Sequence, residues 1–175
     1  FEVIDGTLIE GVRLKNFRFT GKTFYLDAQS LQLKLTWAAL LAKEFRVNQL
    51  YGQGVNLVLH APPKTGRTHL KYLNIPLRIV LEDGVLTQSQ IDKRGFIIPI
   101  ERLTLASSSW YHTQLDIGSL DFIHPLFNTQ LQGKLYTEKD YPIVAKGLLQ
   151  AKFWQDKDLK PLYIKGEGDF GALQL

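Results

Sequence analysis

The sequence predicts a mainly β protein, an elongated antiparallel sheet curved into a U-shaped trough with an apolar interior, plus one short helix. Three observations lead to this fold class. Apolar and polar residues alternate along most of the chain, short turn signals separate the alternating runs, and the alternation slips by one residue at five places. Because a period of two puts one set of side chains on one face of a pleated strand, we expect about ten strands joined by short connections.

The clearest alternating runs define strands in chain order. Their apolar members are Phe24, Leu26 and Ala28, then Leu31, Leu33 and Leu35, then Val55, Leu57 and Leu59, and then Leu73, Ile75, Leu77, Ile79 and Leu81. The turn signals between runs are Thr20–Lys22, Gly52–Gly54, Glu82–Gly84 and Lys93–Gly95. Asp83-Gly84 is typical of a hairpin, since both residues tolerate positive φ.

One segment departs from the strand pattern. Thr36–Lys43 holds good helix formers, with Thr36 as a candidate N-cap and Lys43 in the last turn. About two turns are too few to be stable alone. The helix is therefore expected to dock on the sheet, through Trp37, Leu40 and Leu41.

A long connection, Ala61–Tyr72, separates two of the predicted strands. It contains Pro62-Pro63, which cannot donate to a strand ladder, and basic residues that repel one another. We expect it to be flexible and to lie outside the core. Residues 1–175 as a whole are predicted to be a single β-rich segment of a larger protein, because the chain opens with Phe1 instead of Met.

The five phase slips predict curvature. The apolar set passes from Leu14 to Phe17, from Ala28 to Leu31, from Val47 to Leu50, from Ile100 to Leu103 and from Ile117 to Leu120. Such a slip turns the apolar set outward unless a β-bulge restores the facing and bends the strand. Bulges stacked across neighbouring strands would crease the sheet into a trough. The alternative is that the strands end at these points.

Composition excludes several classes of protein. Hydrophobic residues make up 45% and charged residues 22%, which favours a folded chain over a disordered one. Cysteine is absent, which removes disulfides, thiolate zinc sites and cysteine nucleophiles. The longest uncharged stretch, Val47–Pro63, is shorter than the roughly 20 apolar residues of a membrane-spanning helix.

Motifs for catalysis or metal binding are missing. Gly166–Gly171 matches GxGxxG, but two acidic residues inside it would repel a pyrophosphate, so a strand–turn–strand is the preferred interpretation. The four histidines stand at no metal-binding spacing, and no carboxylate pair stands out as an acid–base dyad. We expect no enzyme activity, cofactor or metal. Basic and aromatic residues interleave near Phe17, but a strand explains them better than a nucleic-acid surface does.

The order of several segments resembles a known family. This order is similar to that of the amino-terminal periplasmic region of the TamB family, the translocation and assembly module subunits. AsmA-like proteins of the bridge-type lipid transfer family have the same kind of strand pattern. The resemblance rests on strand patterns and spans nearly the whole chain. The segments that carry it are Asp5–Phe19, Leu31–Leu35 followed by Trp37, Phe45–Leu50, Gly54–Leu59, Leu73–Ile79, and Leu131–Leu135 through Ile143 to Gly168.

This resemblance implies a fold and a function. It implies a U-shaped trough on the periplasmic side of a Gram-negative inner membrane, with a membrane anchor upstream of this segment. Members of the family are associated with phospholipid transport between the inner and outer membranes and with assembly of outer-membrane proteins. A TamA-like outer-membrane partner would engage regions outside this chain. The family has no catalytic residues.

The expected ligand is the acyl chain of a phospholipid, lying on the apolar interior of the trough. The candidate groove residues share an alternation phase within each predicted strand and are Leu33, Leu35, Leu57, Leu59, Ile75, Leu77, Ile79, Ile98 and Ile100. Two alternatives stay open: a chaperone-like module that pairs client β-strands with an open edge, and a structural spacer with a sealed core. The solvent exposure of the interior residues separates the three.

Overall fold

The chain forms one sheet of ten strands, which lie side by side in sequence order in the computed structural model. The structure describes residues 2–5, 11–21, 23–60, 75–93, 95–137, 142–152 and 161–169. The strands are β1 (Glu2–Asp5), β2 (Val12–Thr20), β3 (Phe24–Thr36), β4 (Glu44–Leu59), β5 (Ile75–Lys93), β6 (Phe96–His112), β7 (Gln114–Ile123), β8 (Phe127–Tyr136), β9 (Pro142–Ala151) and β10 (Leu162–Asp169). The prediction of a mainly β fold with about ten strands is confirmed.

Neighbouring strands pair antiparallel with one exception. Strands β4 and β5 run parallel, from the pair Glu44 and Arg78 to the pair Leu59 and Lys93. The prediction of a mostly antiparallel sheet is confirmed, with this pair as the exception among the described strands. A parallel pair needs a crossover connection, and the alternation of period two is the same in parallel and antiparallel strands. The predicted flexible connection, Ala61–Tyr72, comes between these two strands in the sequence and lies outside the described residues.

Two of the four predicted turns lie inside strands. Residues 52–54 are in the middle of β4, and residues 82–84 are in the middle of β5, so the hairpin predicted at Asp83-Gly84 is wrong. The other two signals do mark connections. Gly21 donates its N–H to the carbonyl of Phe24 at 2.8 Å before β3, and Gly95 adopts a positive φ of 83° between β5 and β6.

The short helix is present as a 3₁₀ helix, Trp37–Ala42, between β3 and β4. It contacts β4, but the predicted docking is wrong for Leu41, which is 92% exposed, and none of the helix residues is buried. Thr36 does not cap it through its side chain, which contacts the Asn48 amide oxygen instead. Residues three positions apart share a side of a 3₁₀ helix, so Trp37 and Leu40 lie together and Leu41 lies on a different side. It ends at Lys43, which adopts the left-handed conformation and donates its N–H to the Leu40 carbonyl at 3.0 Å.

Candidate functional site: the apolar face and its two creases

Cross-strand register gathers the apolar residues of successive strands on one side of the sheet, called here the apolar face. Residues directly opposite each other in neighbouring strands share a face. One row of such residues crosses nine strands without a polar side chain. Its members, from β2 to β10, are Val12, Leu33, Leu50, Gly84, Leu105, Leu120, Leu131, Gly147 and Ile164.

Most of the predicted groove residues lie on this face. Register and alternation place seven there: Leu33, Leu35, Leu57, Leu59, Ile79, Ile98 and Ile100. Leu77 falls in an irregular stretch of the β5–β6 register, between Ile75 and Ile79, so the pairing with β6 does not assign it to a face. The backbone of Ile75 is described in β5, but its side chain is not. A lipid-binding role for these residues stays a prediction.

Three of the five phase slips fall on one line across β2–β6, called here the first crease and defined by positions 16, 29, 54, 88 and 101. Asn16, Gly54 and Gln88 on this line adopt positive φ values of 48°, 61° and 49°. Leu14 and Phe17 on either side of it are half-buried, whereas Lys15 and Asn16 between them are exposed. At Leu14/Phe17, Ala28/Leu31 and Ile100/Leu103 the paired strands have equal residue counts, so left-handed residues on the same or the facing strand stand in place of the predicted bulges.

The apolar face continues across the first crease. A Cβ atom placed on Gly52 would lie 2.8 Å from Cγ2 of Val55, on the far side of the crease, and 2.7 Å from Cδ2 of Leu86, on the next strand. Side chains from both sides of the crease thus pack against the same backbone position, Gly52. The slip of one residue keeps the apolar set on one face, as a β-bulge does.

The other two slips mark a second crease across β4–β7, defined by positions 48, 82, 107 and 118. Asn48 is an extra residue in the β3–β4 register, and Gly118-Ser119 face Gln132 alone in the β7–β8 register. Ser107 has a positive φ of 51°. A Cβ placed on Gly84 would lie 2.9 Å from Cδ2 of Leu81 across this crease, which repeats the arrangement at Gly52.

A buried serine follows the left-handed residue at each crease. Ser89 comes after Gln88, and Ser108 comes after Ser107. Each hydroxyl donates to the carbonyl two residues earlier, that of Thr87 at 2.8 Å and that of Ala106 at 3.3 Å. These serines satisfy backbone groups that the bulges take out of the ladder. Sequence reasoning missed both, although each is a serine at a position where the slipped alternation calls for an apolar residue.

The most buried side chains lie in the rows beside the creases. Ala28, Val55 and Ile100 flank the first crease, and Val47 flanks the second; Ala28 is only 1% exposed. The remaining apolar residues of the central strands are mostly half-buried. The main contacts between described elements join sheet neighbours, together with the 3₁₀ helix and β4. No second layer therefore covers the apolar face within the described part of the chain.

The opposite side of the sheet, called here the polar face, carries side-chain ladders between β4 and β5. Near the first crease the ladder is made of amides: Gln53 donates to Gln88 at 3.1 Å, and Gln90 donates to Asn56 at 3.2 Å. Such neutral pairs tie the two parallel strands together without adding charge.

Near the second crease the polar face is charged. Glu82 accepts from Asn48 at 2.9 Å and from Arg46 at 3.2 Å, and Tyr51 donates its hydroxyl to Asp83 at 2.6 Å. The hydrogen bond to Asp83 raises the pKa of Tyr51, with smaller contributions from burial and the carboxylate charge. The hydrogen bond from Arg46 to Glu44, at 2.6 Å, raises the pKa of Arg46.

Several cavities lie on the polar face of the described sheet. One of about 510 Å³ is lined by Arg102, Thr104, Asp121 and Asn128 among others, and one of about 500 Å³ by Tyr51 and its neighbours. Both are mixtures of polar and apolar groups. Within the described ranges, no group of three or more histidine or carboxylate side chains is placed to hold a metal ion.

Comparison with protein-family models, with curated proteins and with solved structures finds no match for this chain. No helix among the described residues combines the length and apolarity needed to cross a bilayer.

Proposed function

We propose that the chain is a non-enzymatic segment of a lipid conduit, in which phospholipid acyl chains lie against the apolar face. The observation that carries this proposal is the row of apolar residues and glycines that crosses nine strands, from Val12 to Ile164, without a polar side chain. In keeping with the TamB-family resemblance, the conduit would lie in the periplasm. It would move phospholipid between the inner and outer membranes and support outer-membrane protein assembly.

The energetics of the apolar face support this proposal. Burying a methylene group is worth about 0.8 kcal/mol, so a continuous apolar surface lowers the cost of keeping an acyl chain out of a membrane. A large apolar patch on a folded protein usually serves binding. Here only four apolar residues among the described ones are buried, so much of this surface is still available to a ligand.

The creases favour a trough over a flat surface. The left-handed residues of the first crease and the extra residues of the second line up across several neighbouring strands, and irregularities of this kind bend the strands that carry them. The close approach of side chains from across each crease to the Gly52 and Gly84 positions supports bending toward the apolar face. An acyl chain in such a trough would be contacted from both sides as well as from below.

The two alternatives fit less well. A structural spacer with a sealed core would bury its leucines and isoleucines, whereas most of these residues are half-buried here. A chaperone-like module would use a free strand edge, and β10 offers one, but the apolar face would then have no role of its own.

The test compares two adjacent positions on opposite faces of β4. Leu57 lies between Leu26 and Ile91 on the apolar face, and Asn56 lies between Asp27 and Gln90 on the polar face. Leu57→Arg should weaken binding of a fluorescent phospholipid by about tenfold or more, because a charge on this face must lose its hydration. Asn56→Arg, the matched control, should bind as the parent chain does.

Photo-crosslinking with a probe at either position gives a second readout. A probe at Leu57 should capture phospholipid and one at Asn56 should not. Both variants must keep a β circular dichroism spectrum and a cooperative melt, so that a loss of binding is not a loss of folding. Capture at Asn56 but not at Leu57 would reverse the assignment of the faces and refute the proposal.

A further inference from the structure

Strand β10 forms one edge of the sheet. Its residues pair with β9 from Leu162–Leu149 to Asp169–Pro142, and no other described strand pairs with it. The side chains of residues 162–167 are all exposed, with Leu162 at 62% and Tyr163 at 61%. An exposed edge with apolar side chains is a template for pairing with another strand.

The charges next to this edge are unbalanced. Lys165 is directly opposite Lys146 of β9, and like charges in that arrangement repel. The next lysine on the same face, Lys134, lies 3.5 Å from Asp116. Neither Lys146 nor Lys165 has a carboxylate within ion-pair distance among the described residues. A strand added at the free edge would be favoured if it placed a carboxylate beside Lys165.

We propose that β10 pairs antiparallel with β10 of a second copy of this chain, in a register centred on Gly166. In that register Lys165 lies opposite Glu167 of the partner subunit, and Glu167 lies opposite Lys165 of the partner subunit. Two ion pairs form by symmetry, as an isologous two-fold interface requires. A register centred one residue earlier would instead place the two copies of Lys165 face to face.

The surroundings of Gly166 are compatible with this pairing. A Cβ atom placed on Gly166 would have no heavy atom within 4 Å, so the centre of the interface is open. Lys165 and Glu167 lie on the polar face, because their β9 partners Lys146 and Val144 do. The new ion pairs would therefore lie on the side of the sheet that already carries the charged ladders.

The pairing has a consequence for the apolar face. A two-fold axis normal to the sheet keeps the apolar faces of both copies on the same side. Ten strands at a spacing of about 4.8 Å cover about 48 Å. Two copies would cover about twice that distance with one continuous apolar surface. This inference goes beyond the proposed function, since the pairing does not depend on lipid binding.

The experiment measures the oligomeric state of the 175-residue chain by sedimentation equilibrium over a range of concentrations. The parent chain should dimerise. Lys165→Glu and Glu167→Lys should each raise the dimer dissociation constant by about tenfold or more. Each substitution replaces both symmetry-related ion pairs of the interface by pairs of like charges. The double variant, K165E/E167K, should dimerise as the parent does.

Mixing the two single variants provides a sharper control. A heterodimer of K165E with E167K has opposite charges at both positions, so the mixture should recover the affinity that each variant alone has lost. Both substitutions are at exposed positions, and Lys165→Gln, which removes the charge without reversing it, should give an intermediate dissociation constant. Circular dichroism verifies that every variant keeps its sheet.

Three outcomes would overturn the proposal. They are a parent chain that stays monomeric at all concentrations, a dimer that is insensitive to both charge reversals, and single variants that do not recover when mixed. A parent chain that stays monomeric but binds an extended client peptide at β10 would favour edge augmentation by another protein. Phospholipid binding by monomeric variants tests the lipid proposal separately, so the failure of one proposal is distinguishable from the failure of the other.

Discussion

At the first crease the chain passes through three left-handed residues, Asn16, Gly54 and Gln88, whereas at the second crease Ser107 is left-handed and other strands carry extra residues. Both creases nevertheless keep the apolar set on one face, and both place a buried serine after a left-handed residue. The comparison shows that a sheet can be creased either by left-handed backbone or by unequal residue counts. The common requirement is a partner for the backbone groups that leave the ladder.

The polar sides of the creases differ in charge. Between β4 and β5, neutral amides line the first crease, through Gln53 and Gln88, while Glu82 and Asp83 accept hydrogen bonds at the second. Charge enters the first crease on β6, where Glu101 accepts from Lys152 at 2.8 Å. Between β4 and β5 the first crease should therefore depend on backbone conformation and packing. The second should depend in addition on pH.

The largest effect is expected from a side chain at Gly54, in the first crease. Gly54→Ala places a Cβ in a left-handed conformation and within 2.5 Å of Cδ of Gln29, so we expect a loss of about 2–3 kcal/mol in the free energy of unfolding. Gly95→Ala is the matched control: its φ is also positive, but nothing lies within 4 Å of its Cβ position. Urea denaturation measures both. Equal losses at the two sites would show that crowding at the crease is unimportant.

A second comparison adds a methyl group beside each crease, at Gly52 and at Gly84. Gly52→Ala pushes a Cβ against the branched Cγ2 of Val55, which has little freedom to move, and should cost about 1–3 kcal/mol. Gly84→Ala meets the flexible end of Leu81 and should cost less. Thermal melts of both variants measure the difference. A larger loss for Gly84→Ala would reverse the ranking of the two creases.

Removing the serine hydroxyls should have a smaller effect. The Ser89 hydroxyl accepts a buried hydrogen bond from the N–H of Val55 at 3.1 Å and also donates to Thr87, so Ser89→Ala should cost about 1–3 kcal/mol. The Ser108 hydroxyl donates to the Ala106 carbonyl at 3.3 Å, and Ser108→Ala should cost about 0.5–1.5 kcal/mol. Amide hydrogen exchange at Val55 should accelerate in the first variant and not in the second.

The smallest effect concerns alkaline pH at the second crease. The hydrogen bond to Asp83 raises the pKa of Tyr51 above its unfolded value of about 10. Its stabilisation is therefore fully present below pH 10 and is lost as the pH rises through the folded-state pKa. Tyr51→Phe should remove this loss, as followed by melts between pH 8 and about 11. If Tyr51→Phe still loses the same stability at alkaline pH, a group other than Tyr51 causes that loss.

Sequence reasoning predicted the β class, the approximate strand number and the five places where the strands become irregular, because alternation and its interruptions are local features of the chain. It misassigned the glycine-containing segments at 52–54 and 82–84 as turns. The residues that permit a turn, those lacking a Cβ or tolerating positive φ, also permit a crease. Whether the chain reverses there depends on the strands on either side. The helix was located correctly, but the exposure of Leu41 could not be predicted from a segment of eight residues.

The sequence by itself determined which side chains share a face, since alternation and slip are set by neighbours one to three residues apart. Tertiary structure alone decided that the slips stack into two lines, that β4 and β5 run parallel, and that Ser89 reaches Val55. It also placed Lys165 opposite Lys146. The physical reason is register: these contacts join residues tens of positions apart in the chain or on different strands, and their pairing follows from the packing of the whole sheet and not from any local pattern.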